Sequence, residues 1–266
     1  MRTPFLLSLL AALLLMACNS ETQTQEADTP EEPTSTLSVE KLSGSPAFGE
    51  ASLSLMDAQP GEDGMYNFTF EVAGYELGAQ TDQPMPLANS GKGQHIHFIV
   101  DNGPYAAHYT PEVSTDKLAE PGNHVVLAFL SRSYHESVKN TEPPTSYFLG
   151  QYQTGEGEFE EADFSAPHMF YSRPKGTYKA GDYDQLLLDF FLFNIELSPE
   201  GNKVRATING EEFMLTEWAP YVIKGLEPGE ATVKLELIDA EGNAVPGPFN
   251  TVERSVTLEA PEAATE

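Results

Sequence analysis

The sequence says nearly the same thing twice. Gly93-Gln94-His95-Ile96-His97-Phe98-Ile99-Val100-Asp101-Asn102-Gly103 reads like Gly201-Asn202-Lys203-Val204-Arg205-Ala206-Thr207-Ile208-Asn209-Gly210. Leu118-Ala119-Glu120-Pro121-Gly122 reads like Leu226-Glu227-Pro228-Gly229. His95 and Lys203 are 108 residues apart, and Pro121 and Pro228 are 107 apart. Two anchors agreeing to one residue argue for a duplicated unit of about 100 residues, the size of one β-sandwich domain. The second copy is then a control for the first. Where copy one departs from copy two, something other than folding acts on the sequence.

Short apolar or alternating runs, separated by Gly, Pro, Asn and Asp clusters, read as strands. In copy one these are Ala51–Met56, Tyr66–Tyr75, His95–Asp101, His124–Arg132 and Ser146–Gln153. In copy two they are Gln185–Leu197, Lys203–Asn209, Glu211–Leu215, Thr232–Asp239 and Thr251–Glu259. Asn209-Gly210 between two such runs is a two-residue hairpin signal, because a type I′ turn needs positive φ. Phe190, Phe191 and Phe193 favour a strand over a buried helix in the Gln185–Phe193 run. The expected fold is all-β, two tandem immunoglobulin-like sandwiches over residues 37–154 and 165–260. The acidic stretch 155–164 is the linker. Ser165–Phe170 is expected to open copy two as a proline-bearing edge segment, as Gly44–Phe48 opens copy one.

Transferring the alternation of copy two onto copy one gives a testable phase. Val204, Ala206 and Ile208 face a core, while Lys203, Arg205 and Thr207 face outward. Their counterparts put Ile96, Phe98 and Val100 inside, and His95, His97 and Ile99 outside. At the second anchor Val125, Leu127 and Phe129 take the outward places of Thr232, Lys234 and Glu236. An apolar outward face is either covered by another part of the chain or is an interaction surface.

His95 and His97 project from one face of one strand, His124 opens another strand, and His135 follows that strand's end. Such a set can hold copper or zinc through neutral imidazole nitrogens, or its rings can hydrogen-bond loop carbonyls. A second constellation is cationic: Arg132, His135 and Lys139 in one run, and Arg173, Lys175 and Lys179 in another. Arg132, His135, Lys139, Arg173 and Lys175 are candidates for an anionic group, since a guanidinium takes phosphate or carboxylate bidentately. The alternative is that they neutralise nearby acids and join the domains. Ser131, Ser133 and Ser137 flank His135, but no nucleophile elbow or phosphate-cradling glycine loop is present, so a non-enzymatic role is expected.

The amino-terminal region carries its own signals. Arg2 precedes an apolar run from Phe5 that ends in Leu15-Met16-Ala17-Cys18. The run is shorter than the roughly 20 residues of a spanning helix and has the form of a signal peptide, residues 1–17. Cys18 is the sole cysteine, so disulfides within the chain and thiolate metal sites are excluded, and lipidation is its expected role. Residues 18–36 are acidic and polar and read as a disordered tether. The chain's formal charge of −27 argues against nucleic acid as a partner.

The Gly93–Asn102 segment, Pro121-Gly122-Asn123-His124, Ser133–Asn140, Ser165–Gly176 and Asn202–Leu215 resemble a group of bacterial lipoproteins described as phosphopeptide-binding. That resemblance covers most of the chain after the tether. It implies a lipid-anchored binding protein of the cell envelope, at the outer membrane, whose partner is a phosphorylated or carboxylate-bearing peptide or protein. The His-x-His strand with its Pro-Gly-x-His also resembles a family of histidine-rich domains of unknown function. Copy two departs there, with Lys203, Arg205 and Ala231 at the histidine positions. A histidine-dependent function would belong to copy one.

Overall fold

Alternation in the sequence becomes alternation of burial. In the computed structural model, which describes residues 37–62 and 64–262, Lys203–Ile208 runs as a strand whose residues are by turns half-buried and buried. Residues 1–36, with the expected signal peptide, Cys18 and the expected tether, lie outside the described residues.

In chain order the first strands are β1 (Ser38–Lys41), β2 (Ser52–Pro60), β3 (Tyr66–Ala73), β4 (His95–Val100) and β5 (Ala106–His108). Then come β6 (Glu112–Thr115), β7 (Gly122–Ser131), β8 (Tyr147–Thr154), β9 (His168–Arg173) and β10 (Gly176–Tyr178). The chain continues with β11 (Leu186–Phe193), β12 (Lys203–Ile208), β13 (Glu211–Leu215), β14 (Tyr221–Lys224), β15 (Gly229–Ile238) and β16 (Thr251–Leu258). One sandwich stacks β2-β3-β6 on β5-β4-β7-β8, and the other stacks β1-β14-β11-β9 on β10-β16-β15-β12-β13. The fold is two tandem immunoglobulin-like β-sandwiches.

The duplication extends to register. His95 pairs with Ser131 and Lys203 with Ile238, so both strand pairs carry the same offsets as the sequence anchors. Even the isolated bridges Ser131–Ser137 and Ile238–Ala244 correspond. Asn102 and Asn209 both take positive φ, 52° and 49°, at the matching turn. Asn tolerates that left-handed conformation better than most residues.

One boundary differs from the sequence reading. Residues 38–41, placed there with the first sandwich, form β1 and pair with β14 of the second, from Ser38 opposite Lys224 to Lys41 opposite Tyr221. An edge strand presents unpaired N–H and C=O groups, and β1 satisfies those of β14. Leu37 and Val39 also pack against the second core.

The sandwiches form a single compact unit, and the outward face of copy one is where they meet. Ile96, Phe98, Val126, Ala128 and Leu130 fill the first core. Ile99, Val125, Leu127 and Phe129 point the other way and pack on Phe170, Phe191 and Phe193 of β9 and β11. Phe129 stacks on Phe191 with ring centroids 5.2 Å apart. Each such aromatic, fully buried, contributes about 1.5–3 kcal/mol. The face is therefore directed away from its own core, as the phase transfer required, but it meets protein and not water. β4 and β9 are buried along their whole length for this reason.

Polar groups at the seam are paired across it. Asn102 donates through Nδ2 to the carbonyls of Met169 and Phe249 at 3.1 and 3.0 Å, and its Oδ1 accepts the Tyr171 N–H at 2.8 Å. Asp189, fully buried on β11, accepts from the Ser137 N–H and Oγ–H and from Lys139 Nζ at 3.1, 3.2 and 2.5 Å. A buried carboxylate is tolerated only with such compensation.

Candidate metal centre

β4 is preceded by Gly93, whose φ of +85° and close approach to the Gly78 carbonyl exclude a side chain: a Cβ there would lie 2.1 Å from Gly78 O. The Gly93 carbonyl so placed accepts a hydrogen bond from His95 Nδ1 at 2.8 Å. His95 Nε2 is then the unprotonated nitrogen of a neutral ring. Two residues on, His97 lies on the same face, with Nε2 2.9 Å from His95 Nε2. The turn after β7 returns His135 to this spot with a left-handed φ of 72°, and its Nδ1 lies 3.1 Å from His95 Nε2. A non-glycine residue held there costs about 1–2 kcal/mol.

Three ring nitrogens thus converge: one ligand atom from each of His95, His97 and His135 falls within 4.8 Å of the other two. The one lone pair on His95 Nε2 faces ring nitrogens of both His97 and His135. A metal ion at the centre would use all three lone pairs. Bonds of about 2.0–2.1 Å in a tetrahedron set ligand separations of about 3.3–3.4 Å, a little longer than the 2.9 and 3.1 Å from His95 Nε2 to its two neighbours. The outer contacts match that role: His95 is oriented by Gly93 O, and His97 Nδ1 sits 3.2 Å from Ser172 Oγ of the second sandwich. Metal-binding histidines characteristically donate their second N–H in this way.

Burial also holds the rings neutral. His95 and His97 are 0% exposed and His135 is half-buried. Burial lowers the His95 pKa to about 4, with Arg173 and Lys175 adding to it against the opposing Gly93 hydrogen bond. His97 falls well below 6.5 through burial and then the neighbouring His95 and His135. His135 is depressed through burial and Arg173. Proton competition for the nitrogens is therefore removed at neutral pH.

His124, the fourth histidine of the sequence set, is not there. It lies near the start of β7 whereas Ser131, at the end of the same strand, faces His95, a separation of about 23 Å at 3.3 Å per residue. Its ring bridges Asp101 Oδ2 at 2.6 Å and the Glu120 carbonyl at 2.8 Å. The alternative reading of carbonyl-bonding histidines holds for this one.

The five anion candidates divide into two groups. Arg132 is spent on Glu136 at 3.0 Å and the carbonyls of Ser137 and Pro46, and Lys139 on Asp189. Both line a cleft of about 490 Å³ with Glu136 and Trp218. Arg173 and Lys175 instead flank the histidine cluster with His135. Arg173 donates to Tyr178 Oη, and Lys175 donates to the Tyr105 carbonyl at 2.7 Å and lies over the Tyr105 ring at 3.9 Å. A single phosphate pocket built from all five is absent.

Tyr105, Ser172 and Asp189 are site residues the sequence did not single out. Tyr105 stacks on His97 with centroids 3.5 Å apart and planes at 12°, and its Oη is 3.2 Å from His135 Nδ1. Its signal was the Asp101–Pro104 turn: the hairpin pairs Ala107 with His97, so alternation puts Tyr105 on the histidine face.

No protein-family model matches the chain, and no curated protein matches it. Among solved structures, it is similar to the fibronectin(III)-like modules of Clostridium thermocellum CbhA at 12% identity, over 78% of this chain and 94% of that one, with a TM-score of 0.28. The two tandem V-type regions of VCBP3, a v-region-containing chitin binding protein, match at 7% identity over 84% and 99% of the chains, TM-score 0.22. The Bacteroides ovatus mixed-linkage glucan utilization protein SGBP-B matches at 10% identity over 78% and 70%, TM-score 0.21. Such likenesses bear on architecture alone, and the fold rests on the strand pairing described above.

Proposed function

We propose that this protein is a non-enzymatic metal-binding module that holds one copper or zinc ion through His95 Nε2, His97 Nε2 and His135 Nδ1. The observation that carries the reading is the mutual approach of those three nitrogens, with His95 and His97 oriented from behind by Gly93 and Ser172. Imidazole donors suit copper and zinc among the common metals. Binding, in preference to catalysis, follows from access: two of the three rings are fully buried, leaving the His135 side as the way in. Lipidation at Cys18 would carry the module on a bacterial envelope membrane, as the lipoprotein-like start of the sequence implies.

The test is metal analysis of the full chain, purified without a histidine tag, after incubation with copper or zinc and dialysis. One equivalent should remain in the wild type and in His124→Asn, and be lost in His135→Asn, a replacement that keeps a residue tolerant of positive φ. Substoichiometric metal in the wild type, or full retention in His135→Asn, would overturn the reading.

A further inference from the structure

Resting on the reading that three histidines hold a metal ion, we propose that the phenolate oxygen of Tyr105 is the fourth ligand, making a three-nitrogen, one-oxygen centre suited to Cu(II). Tyr105 is 4% exposed, and the hydrogen-bond partner of its Oη is His135 Nδ1 at 3.2 Å. A metal on Nδ1 takes the lone pair that this hydroxyl would use. The buried oxygen then loses its partner, and a buried polar atom without one costs about 1–3 kcal/mol. Bonding to the ion that displaced the contact restores one.

Charge argues the same way. Among the described residues no carboxylate or thiolate joins the three histidines. Neutral imidazoles leave the ion's two positive charges uncompensated in a buried site beside Arg173 and Lys175. An anionic donor is what the site lacks, and Tyr105 is the acidic side chain in contact with it. Lys175 Nζ lies 3.9 Å above the tyrosine ring, and the Arg173 guanidinium carbon 5.6 Å from its centroid. Burial raises the Tyr105 pKa and Arg173 opposes that rise, so it is the ion that must displace the phenol proton. The ring is fixed by its stack on His97 and by the Lys175 bond to its own carbonyl. As the copper–oxygen bond forms, the phenol proton leaves to solvent. Mixed nitrogen and oxygen donors, with the high intrinsic affinity of Cu(II), place that ion ahead of Zn(II).

The experiment adds Cu(II) to the full untagged chain and to Tyr105→Phe, which keeps the ring stack and removes the oxygen. The wild type should take up one equivalent and develop a phenolate-to-copper charge-transfer absorption with tyrosinate ring modes in resonance Raman. Tyr105→Phe should bind one equivalent through the histidines, about 10- to 100-fold more weakly on the scale of ligand-sphere changes, without that absorption. Histidine-dependent copper without a charge-transfer band in the wild type, or a band that persists in Tyr105→Phe, overturns the fourth ligand and leaves the three-histidine reading standing. Failure of the wild type to retain Cu(II) overturns the fourth ligand as well, and zinc retention by the same protein then decides whether the three-histidine reading falls with it.

Discussion

Ser172 Oγ, on the second sandwich, lies 3.2 Å from Nδ1 of His97, on the first. A ligand candidate in one domain is thus oriented by a hydroxyl in the other. The centre belongs to the seam, and its geometry depends on both halves being docked.

Ser172→Ala separates orientation from ligation. The hydroxyl is fully buried, and its loss leaves His97 Nδ1 without its hydrogen-bond partner. Copper or zinc affinity, measured by competition with a chelator, should fall about 10- to 100-fold. Stability of the metal-free chain should fall by about 1 kcal/mol, the worth of one hydrogen bond.

Asp189→Asn tests the polar lock of the seam. It removes the charge facing Lys139, whose side chain is 15% exposed, and weakens two bonds from Ser137. Urea unfolding should show a loss of about 3 kcal/mol, as expected when one member of a buried pair is deleted. Glu212→Gln, at an exposed pair 4.0 Å from Arg205, should change stability by less than about 0.5 kcal/mol.

Gly93→Ala should damage the fold and the site together. The new Cβ would meet the Gly78 carbonyl at 2.1 Å in a left-handed backbone conformation. A loss of about 2–4 kcal/mol in thermal or urea unfolding is expected, with weakened metal binding because His95 hangs from the Gly93 carbonyl.

His124 gives the pH dependence. Burial works against its charged form, but the Asp101 hydrogen bond and the Glu120 carbonyl outweigh it and raise its pKa above 6.5. A histidine whose folded pKa exceeds its unfolded value adds stability that is complete below the unfolded value. That stability disappears as pH rises through the folded one. The stability difference between wild type and His124→Gln should therefore be largest near pH 5.5 and shrink toward about pH 8.5, across the range of histidine titration. NMR titration of the ring should show a midpoint above 6.5.

The duplication made much of this architecture readable. Because β4 and β12, and β7 and β15, repeat one pattern, the sequence distinguished the inward Ile96, Phe98 and Val100 from the outward His95, His97 and Ile99. What lay over the outward face was not readable, since Phe170, Phe191 and Phe193 alternate with core residues in a run that reads apolar throughout. β1 was assigned to the nearer sandwich because chain order carries no information on which edge a short strand will complete. His124 entered the metal set on residue type, and the register of β7 with β4 removed it. Arg132 meets Glu136 four residues on, as the acid-neutralising alternative expects, whereas the Lys139 partner Asp189 is brought up by tertiary structure and not by spacing. Tyr105 was overlooked because hairpin register had to be carried one residue past β5.

β1 joins the far sandwich, and this sets how the molecule bears load. Anything attached on the amino-terminal side of residue 37 transmits a pull first to four residue pairs of the β1–β14 ladder. That ladder borders the second core, on the opposite sheet edge from β9, where the histidines are met. Tension could peel this short strand away while the seam between the sandwiches stayed closed, so the joint acts as a mechanical fuse upstream of the imidazoles.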